Sequence, residues 1–274
     1  RYRNRATFKV MNGLAGFFGF RSKDFVPIKD CPVVKQDLAK KSVAFARKNQ
    51  HDDIFELYVV ENEEGVSLAS ASVELPVKHD DTVFTGVKTG KKVLGVKEGE
   101  YQTEFGSLFF SYDTFLQGNR VAGAEMQKLV SKLAKGENLL ELYCGSGFLT
   151  LAASPNFKHV LAVEASEKSI ALAKKTALKN VSWFADDVLK FIENSSFRAD
   201  VILVDPPRNG LEREVAQAIN SSGAENLIYV SCNPVTLGRD LMILKNSYRL
   251  KKTYFIDMFP NTHHVETVNL LTKK

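Results

Sequence analysis

The sequence is poor in cysteine and lacks long apolar runs. Only three thiols, Cys31, Cys144 and Cys232, are spread over 274 residues. Their odd number and wide spacing argue against a disulfide framework and indicate a reducing compartment, so we expect a cytoplasmic protein. Three thiols are also too few for a four-thiolate iron–sulfur site. No apolar run approaches the roughly 20 residues of a membrane helix, and no signal peptide is recognisable, so no membrane association is expected.

Charge is distributed unevenly along the chain. The net charge is +5, but residues 1–50 carry 12 basic and 3 acidic residues, a net charge of +9. Residues 51–118 carry 5 basic and 13 acidic residues, a net charge of −8. Aromatic residues are interleaved with the bases of the first segment, at Tyr2, Phe8, Phe17, Phe18, Phe20 and Phe25, a composition suited to a polyanion with exposed bases. The alternative to a polyanion-binding surface is a basic face exposed to solvent, whose charge the acidic stretch after it neutralises.

Two hydrophobic periodicities divide the chain. Short apolar runs separated by glycine turns predict strands over residues 6–10, 54–60, 66–73, 83–87 and 107–110, with one helix over 36–48. We therefore expect a small α+β domain over residues 1–110. Beyond it, strands predicted over 138–143, 159–164, 181–185, 200–204, 226–230, 250–257 and 265–271 alternate with helices over 121–134, 148–153, 168–179 and 234–244. This alternation predicts a seven-stranded, mostly parallel, doubly wound α/β domain over residues 111–274.

A glycine turn follows the first strand of the second domain. Residues 139–147, Leu-Leu-Glu-Leu-Tyr-Cys-Gly-Ser-Gly, run from a strand into a helix, and their glycines allow a close approach of ligand to backbone. The next strand ends in Glu164, about 20 residues later, where an acid can accept both hydroxyls of a ribose. Thr150 stands where a dinucleotide site needs a third glycine, which favours S-adenosylmethionine. Asp187 could accept from an adenine amino group or cap a helix over 188–192, and the two roles are compatible.

Two further strands end in reactive or rigid loops. Residues 205–208, Asp-Pro-Pro-Arg, fix the backbone after the fourth strand and would face a target base in a methyl-transfer site. The alternative is a plain turn that ends the strand. Cys232 lies at the carboxyl end of the fifth strand, where ligands of open α/β sheets bind, and Asn233 and Pro234 then start a helix. The alternative for this thiol is a small buried hydrophobe.

The segment 259–266, Phe-Pro-Asn-Thr-His-His-Val-Glu, brings two histidines close to an acid. His263, His264 and Glu266 could be metal ligands, but no second cluster completes a set of four, so no metal site is expected. Such histidines more often satisfy hydrogen bonds or contact phosphate. Glu266, at the entry to the last strand, is a candidate proton acceptor.

These motifs together resemble the S-adenosylmethionine-dependent RNA uracil-5-methyltransferases, the family of bacterial tRNA and 23S rRNA 5-methyluridine enzymes. The matching segments, in family order, are residues 115–119, 140–147, 205–208, 231–234 and 259–266, with a weaker likeness at 1–5 and 31–32. The resemblance implies a Rossmann-like methyltransferase domain preceded by an α+β RNA-binding domain. It also implies S-adenosylmethionine as cofactor and RNA as partner; we expect a monomer.

The resemblance also implies a role for each matching residue. Cys232 would be the nucleophile and Glu266 the proton acceptor. The expected cofactor residues are Gln117, Tyr143, Gly145, Gly147, Glu164, Asp187 and Asp205. The expected RNA-contacting residues are Arg1, Arg3, Arg5, Arg208 and His263.

The chemistry explains these residue types. Attack of the Cys232 thiolate on C6 of uracil makes C5 nucleophilic, and Glu266 then removes the C5 proton. The thiol needs a lowered pKa, which we expect the start of the helix after Pro234 to assist. The target uridine has to leave its stack to be presented to these groups.

Departures from the family pattern leave alternatives open. Phe148 stands where the family has an asparagine in its cofactor loop. The amino-terminal oligonucleotide-binding barrel and cluster cysteines of the 23S rRNA members are absent, which favours the T-loop uridine of tRNA as target, although a trimmed chain would give the same absence. A 23S rRNA uracil-5-methyltransferase is therefore one alternative. An exocyclic-amine methyltransferase and a non-catalytic RNA-binding or RNA-folding protein on this scaffold are the others.

Overall fold

The structure, a computed structural model, describes residues 1–78 and 82–274 in two compact units. The first unit comprises Arg1–Tyr101 and Phe109–Arg120. The second comprises Gln102–Leu108 and Val121–Lys274. No helix among the described residues is both long enough and apolar enough to cross a membrane.

A seven-stranded sheet and one helix make up most of the first unit. The sheet has the order β3-β2-β1-β4-β5-β6-β7, and all neighbours are antiparallel except β5 and β6. Its strands are β1 (Arg5–Met11), β2 (Leu14–Phe18), β3 (Phe25–Pro27), β4 (Phe55–Glu61), β5 (Ser67–Ala71), β6 (Gly86–Thr89) and β7 (Lys92–Gly95). The helix, α1 (Gln36–Lys48), has the predicted bounds. Its buried residues, among them Leu38, Ser42 and Phe45, recur at helical spacing and form one face toward the core.

Several strands in the first half of the chain were not predicted from the sequence. The short strands β2, β3 and β7 were not predicted, since they form by pairing with neighbours and not through an alternation of their own. Strand β8 (Glu98–Thr103), which pairs with β9 (Gly106–Ser111), was not predicted either. The missing side chain of Gly99 leaves room for the ring of Phe110.

The second unit contains a seven-stranded sheet between helices. Its order is β12-β11-β10-β13-β14-β16-β15, with β10 to β14 parallel and β16 antiparallel to both of its neighbours. The strands are β10 (Asn138–Leu142), β11 (His159–Glu164), β12 (Val181–Ala185), β13 (Val201–Val204), β14 (Asn226–Ser231), β15 (Tyr248–Ile256) and β16 (Glu266–Lys273). The helices are α2 (Arg120–Leu133), α3 (Phe148–Ala153), α4 (Glu167–Ala173), α5 (Val188–Asn194), α6 (Arg213–Ser221) and α7 (Pro234–Leu244). The predicted seven-stranded, mostly parallel sheet is confirmed.

Helices cover the central strands on both faces. All four residues of β13 are buried, as expected for a strand between two helical layers. One apolar cluster joins the sheet to α2 and α3, and another joins it to α5, α6 and α7. The predicted helix over 168–179 is too long. Ser166 caps α4 by accepting a hydrogen bond from the Ser169 amide (3.2 Å), and Ala177 ends the segment in the left-handed conformation, at φ 54°.

Strand direction sets the position of the site. Because β10 to β14 are parallel, their carboxyl ends meet at one edge of the sheet, where ligands bind in folds of this type. Strand β16 runs the opposite way, so its amino end reaches the same edge. The loops that the sequence motifs occupy therefore converge there.

Candidate active site

The pairing of β14 with β16 brings Cys232 and Glu266 to the same edge. Ser231 pairs with Thr267, whose hydroxyl donates to the Ser231 carbonyl at 3.4 Å. The buried Asn269 amide donates to the Tyr229 carbonyl at 3.0 Å and helps to fix this register. Each of the two predicted reactive residues lies one position beyond the Ser231–Thr267 pair, so the strand register juxtaposes them.

The electrostatics of this pair differ from the sequence-based expectation. Burial, followed by the charges of Glu266 and Asp205, raises the pKa of the half-buried Cys232 thiol, and Arg208 opposes this effect. The expected lowering of the thiol pKa is therefore not found in the isolated chain, because desolvation and two acids outweigh the effect of Arg208. Burial also raises the pKa of Glu266 to about 8, with Asp205 adding to the rise and Arg208 again opposing it.

Arg208 is held on both its main chain and its side chain. Its carbonyl accepts hydrogen bonds from the Asn233 amide group (3.1 Å) and the Thr236 hydroxyl (3.3 Å) at the start of α7. Its Nη2 atom lies 2.6 Å from Nδ1 of His264. One cation is thereby fixed where it acts on both Cys232 and Glu266.

His264 is the histidine that contacts Arg208. The side chain of His263 is exposed, and its ring centroid lies 4.2 Å from that of His264.

Glu164 occupies the predicted position at the end of β11. Its Oε2 accepts from the Gly145 amide (3.2 Å) and its Oε1 from the Ser166 amide (2.9 Å), so the carboxylate is fixed beside the glycine turn. Gly147 starts α3 with φ 91°, and a Cβ there would lie 2.9 Å from the Trp183 ring. The turn therefore requires glycine at this position, whereas a Cβ at Gly145 would meet nothing within 4 Å.

Other predicted cofactor residues surround this turn. Tyr143 adopts the left-handed conformation at φ 62°, and burial raises its pKa to about 12, so the phenol stays neutral. Asp187 caps α5, accepting from the Lys190 amide at 2.9 Å, which confirms its predicted capping role. Phe148 opens α3 and packs partly against the apolar cluster beneath it.

Two acids near the glycine turn have raised pKa values. Burial raises the pKa of Asp205 to about 7, and burial followed by the charge of Asp205 raises that of Glu141 to about 8. Glu141 is 2% exposed, and its Oε2 accepts no hydrogen bond from any described residue. A positively charged ligand would offset the repulsion among these groups. S-adenosylmethionine carries a sulfonium and an ammonium group, so the residues present fit this cofactor. Glu141 was missed at the level of sequence, although an acid within a buried apolar strand is itself a signal.

Cys144, in the glycine turn, is buried, and burial raises its pKa well above the ordinary value. In the part of the chain that the structure describes, no three His, Cys, Asp or Glu side chains are grouped to hold a metal ion.

The remaining predicted residues lie in the first unit. Arg1 pairs with Asp30 (2.9 Å), and the Arg3 amide donates to the Val33 carbonyl at 2.8 Å. The Arg5 guanidinium lies 3.9 Å from the centroid of the Phe115 ring, and burial lowers its pKa. Gln117 is buried, and its Oε1 accepts no hydrogen bond from the described residues.

Comparison with known proteins points to one family. The family model described as tRNA (uracil-5-)-methyltransferase matches residues 107–188 and 176–274. A tRNA/tmRNA (uracil-C(5))-methyltransferase of Campylobacter lari is 36% identical over 206 residues, which cover 67% of this chain and 57% of that protein. A 23S rRNA (uracil(1939)-C(5))-methyltransferase of Vibrio parahaemolyticus is 29% identical over 93% of this chain and 65% of its own length.

A solved structure supports the fold across the whole chain. The tRNA (uracil-54, C5)-methyltransferase of Pyrococcus abyssi, in complex with S-adenosyl-L-homocysteine, superposes with a TM-score of 0.82 at 22% identity. The match covers 99% of this chain and 76% of that one.

Proposed function

Because the chain belongs to the tRNA (uracil-5-)-methyltransferase family, we propose that it methylates the T-loop uridine of tRNA through a covalent adduct on Cys232. Family membership gives the general activity, S-adenosylmethionine-dependent methylation of uracil C5 in RNA. The choice of tRNA and the roles of individual residues are our proposal. The roles of Cys232 and Glu266 depend above all on the strand register that juxtaposes these two residues, with Arg208 acting on both.

Cys232 is proposed as the nucleophile. Addition of its thiolate to C6 of uracil places negative charge on the ring and makes C5 nucleophilic, which methyl transfer requires. Arg208 favours the thiolate, since its charge opposes the effects of burial and of the neighbouring acids on the thiol pKa. Cys144 lacks this role because it is buried beside Glu141 and Glu164, without such a cation among the groups that set its pKa.

Glu266 is proposed as the group that accepts the C5 proton. A carboxyl group with a pKa near 8 holds a proton far more strongly than an exposed glutamate does, so its carboxylate is the better base. Transfer of that proton lets the C6–sulfur bond break, which releases the methylated ring and restores the Cys232 thiolate.

Residues around the glycine turn are proposed to hold the cofactor. Bound S-adenosylmethionine supplies the methyl group that C5 accepts. Glu164 would accept the ribose hydroxyls with a carboxylate already oriented by two backbone amides. Gly145 and Gly147 would allow close approach, and Tyr143, Asp187 and Asp205 would complete the binding site. Gln117 is proposed for the same cofactor because residues 115–119 match the family segment whose glutamine contacts it.

The basic first fifty residues are proposed to contact RNA. Their net charge of +9 and interleaved aromatic residues suit a folded polyanion with an unstacked base. The proposed contacts are Arg1, Arg3 and Arg5 there, with Arg208 and His263 at the reactive edge. Identity to the Campylobacter lari tRNA/tmRNA enzyme, at 36%, favours tRNA, although the Vibrio parahaemolyticus rRNA enzyme is 29% identical over a longer stretch.

A direct assay tests the choice of RNA. Purified protein is incubated with S-adenosylmethionine and either transcribed tRNA or a 23S rRNA fragment, and 5-methyluridine is mapped by mass spectrometry. We expect methylation at the T-loop uridine of the tRNA and none in a matched tRNA that carries cytidine there. Methylation of the rRNA fragment alone would contradict the tRNA proposal and leave the general activity standing.

A further inference from the structure

A buried aspartate connects three segments around the reactive edge. Asp240, on α7, is 0% exposed. Its Oδ2 accepts from the Leu211 amide (2.8 Å) and from the hydroxyl of Tyr229 (2.7 Å), and its Oδ1 accepts from Nε of Arg239 (2.9 Å). The carboxylate therefore joins β14, the loop after β13 and α7. A buried charge with this many partners costs much to break by removing one partner.

The loop after β13 is fitted closely to this group. Arg239 donates from Nη2 to the carbonyls of Asn209 (2.7 Å) and Leu211 (2.9 Å). Gly210, between them, has φ 73°, and a Cβ there would collide with Oδ2 of Asp240. The loop is thus fixed to α7 through its backbone.

The fixed loop carries Arg208, and α7 follows Cys232. The loop contacts α7 at two places. Asn233 and Thr236 donate to the carbonyl of Arg208. Asp240 and Arg239 bind the backbone of residues 209–211. We propose that Asp240 is a positioning residue for methyl transfer, which keeps the guanidinium of Arg208 at Cys232 and Glu266. This inference rests on the proposed function of Cys232.

Loss of Asp240 should change the pKa of the Cys232 thiol, which a loss of fold stability alone would not do. Arg208 lowers the pKa of the Cys232 thiol against the effects of burial and acids. If Asp240 holds Arg208 in place, then loss of its charge lets the loop move and raises the thiol pKa further. A substitution that merely weakens the domain would leave the thiol pKa of the folded protein unchanged.

The test measures the alkylation rate of Cys232 by iodoacetamide against pH, by mass spectrometry, in wild type, Asp240→Asn and Tyr229→Phe. Tyr248→Phe is the matched control, since Tyr248 is also buried and donates to the Ala224 carbonyl (3.0 Å), not to Asp240. We expect the profile of Asp240→Asn to move toward alkaline pH by about one unit, a roughly tenfold lower rate at neutral pH. Tyr229→Phe should move it in the same direction by less, and Tyr248→Phe should leave it unchanged.

Activity and binding assays complete the design. For Asp240→Asn, kcat on tRNA should fall about tenfold while affinity for S-adenosyl-L-homocysteine stays near that of wild type. An unchanged alkylation profile in folded Asp240→Asn, or an equal shift in Tyr248→Phe, would overturn the inference. If Asp240→Asn does not fold, an unchanged profile in Tyr229→Phe overturns it and a shifted one supports it. The alkylation experiment needs no RNA, so it tests the role of Asp240 independently of methyl transfer. The proposed function fails separately if the wild-type protein forms no covalent adduct with RNA.

Discussion

Nη2 of Arg208 lies 2.6 Å from Nδ1 of His264. A guanidinium group can only donate hydrogen bonds, so Nδ1 of the histidine is the acceptor and carries no proton in this pair. The contact ties the loop after β13 to the segment that leads into β16. The proposed nucleophile and the proposed base, which come from different strands, thereby share one fixed cation.

Cys232→Ala should abolish methyl transfer, with a loss of at least about a thousandfold, because the addition to C6 has no other thiol to use. Affinity for S-adenosyl-L-homocysteine, measured by calorimetry, should remain near that of wild type. Cys31→Ala, at a buried thiol of the first unit, is the control and should keep its activity. Full turnover by Cys232→Ala would exclude the nucleophile assignment.

Glu266→Gln should accumulate the covalent RNA adduct, since the amide cannot accept the C5 proton and the C6–sulfur bond then persists. The measurement is a denaturing gel, on which protein bound to labelled RNA migrates as a retarded band. The double variant Cys232→Ala/Glu266→Gln should give no such band. If Glu266→Gln turns over normally and shows no adduct, another residue accepts the proton.

Arg208→Ala should shift the acidic limb of the pH–rate profile to higher pH. Arg208 lowers the thiol pKa, so without it the thiolate forms only in more alkaline solution. The acidic limb of Arg208→Lys should lie between those of wild type and Arg208→Ala, because lysine keeps the charge and loses the planar contact with His264. A lower rate with an unmoved limb would assign Arg208 to RNA binding alone.

Stability of the cofactor-free protein should fall as the pH rises. Glu141, with an ordinary pKa of 4.5 and a folded-state pKa of about 8, holds its proton more tightly when folded. Its contribution is therefore complete below about pH 4.5 and is lost progressively up to about pH 8, on the order of 3 kcal/mol by pH 7. Asp205 and Glu266 act in the same direction.

Urea unfolding at about pH 5.5, 7 and 8.5 measures this loss. Glu141→Gln should lose less stability over the same range, because an amide does not ionise. An equal loss in both proteins would show that Glu141 is not the source. Saturating S-adenosylmethionine should reduce the loss in wild type, since a bound cation favours the ionised acids.

Glu164→Gln should weaken cofactor binding by about tenfold or more, since the amide offers one acceptor oxygen instead of two. Titration calorimetry with S-adenosyl-L-homocysteine measures the change. The neighbouring Glu167→Gln, at an exposed position of α4, is the control and should bind as wild type does. Equal affinities for the two variants would remove Glu164 from the binding site.

The second domain could be predicted well because its strands are continuous apolar runs. Burial on both faces leaves a run such as Val201–Val204 few alternatives, and each motif follows such a strand. In the first unit, β2 and β3 exist through pairing with β1, so no local period marks them.

Cys232 and Glu266 could be proposed as reactive residues from motifs, but the shifts of their pKa values could not be predicted. Whether the pKa of Cys232 rises or falls depends on Glu266, Asp205 and Arg208, which lie on other strands and loops. The hydrogen bonds of Asp240 could not be predicted for the same reason, since its partners Leu211 and Tyr229 are 29 and 11 residues away.

The raised pKa of Cys232 also bears on its survival between turnovers. Hydrogen peroxide oxidises thiolates and not thiols, and this half-buried sulfur is the one of the three that the solvent reaches best. Burial, followed by the charges of Glu266 and Asp205, raises its pKa and so disfavours the thiolate. The burial and the acids that oppose thiolate formation thus also slow oxidation of this sulfur.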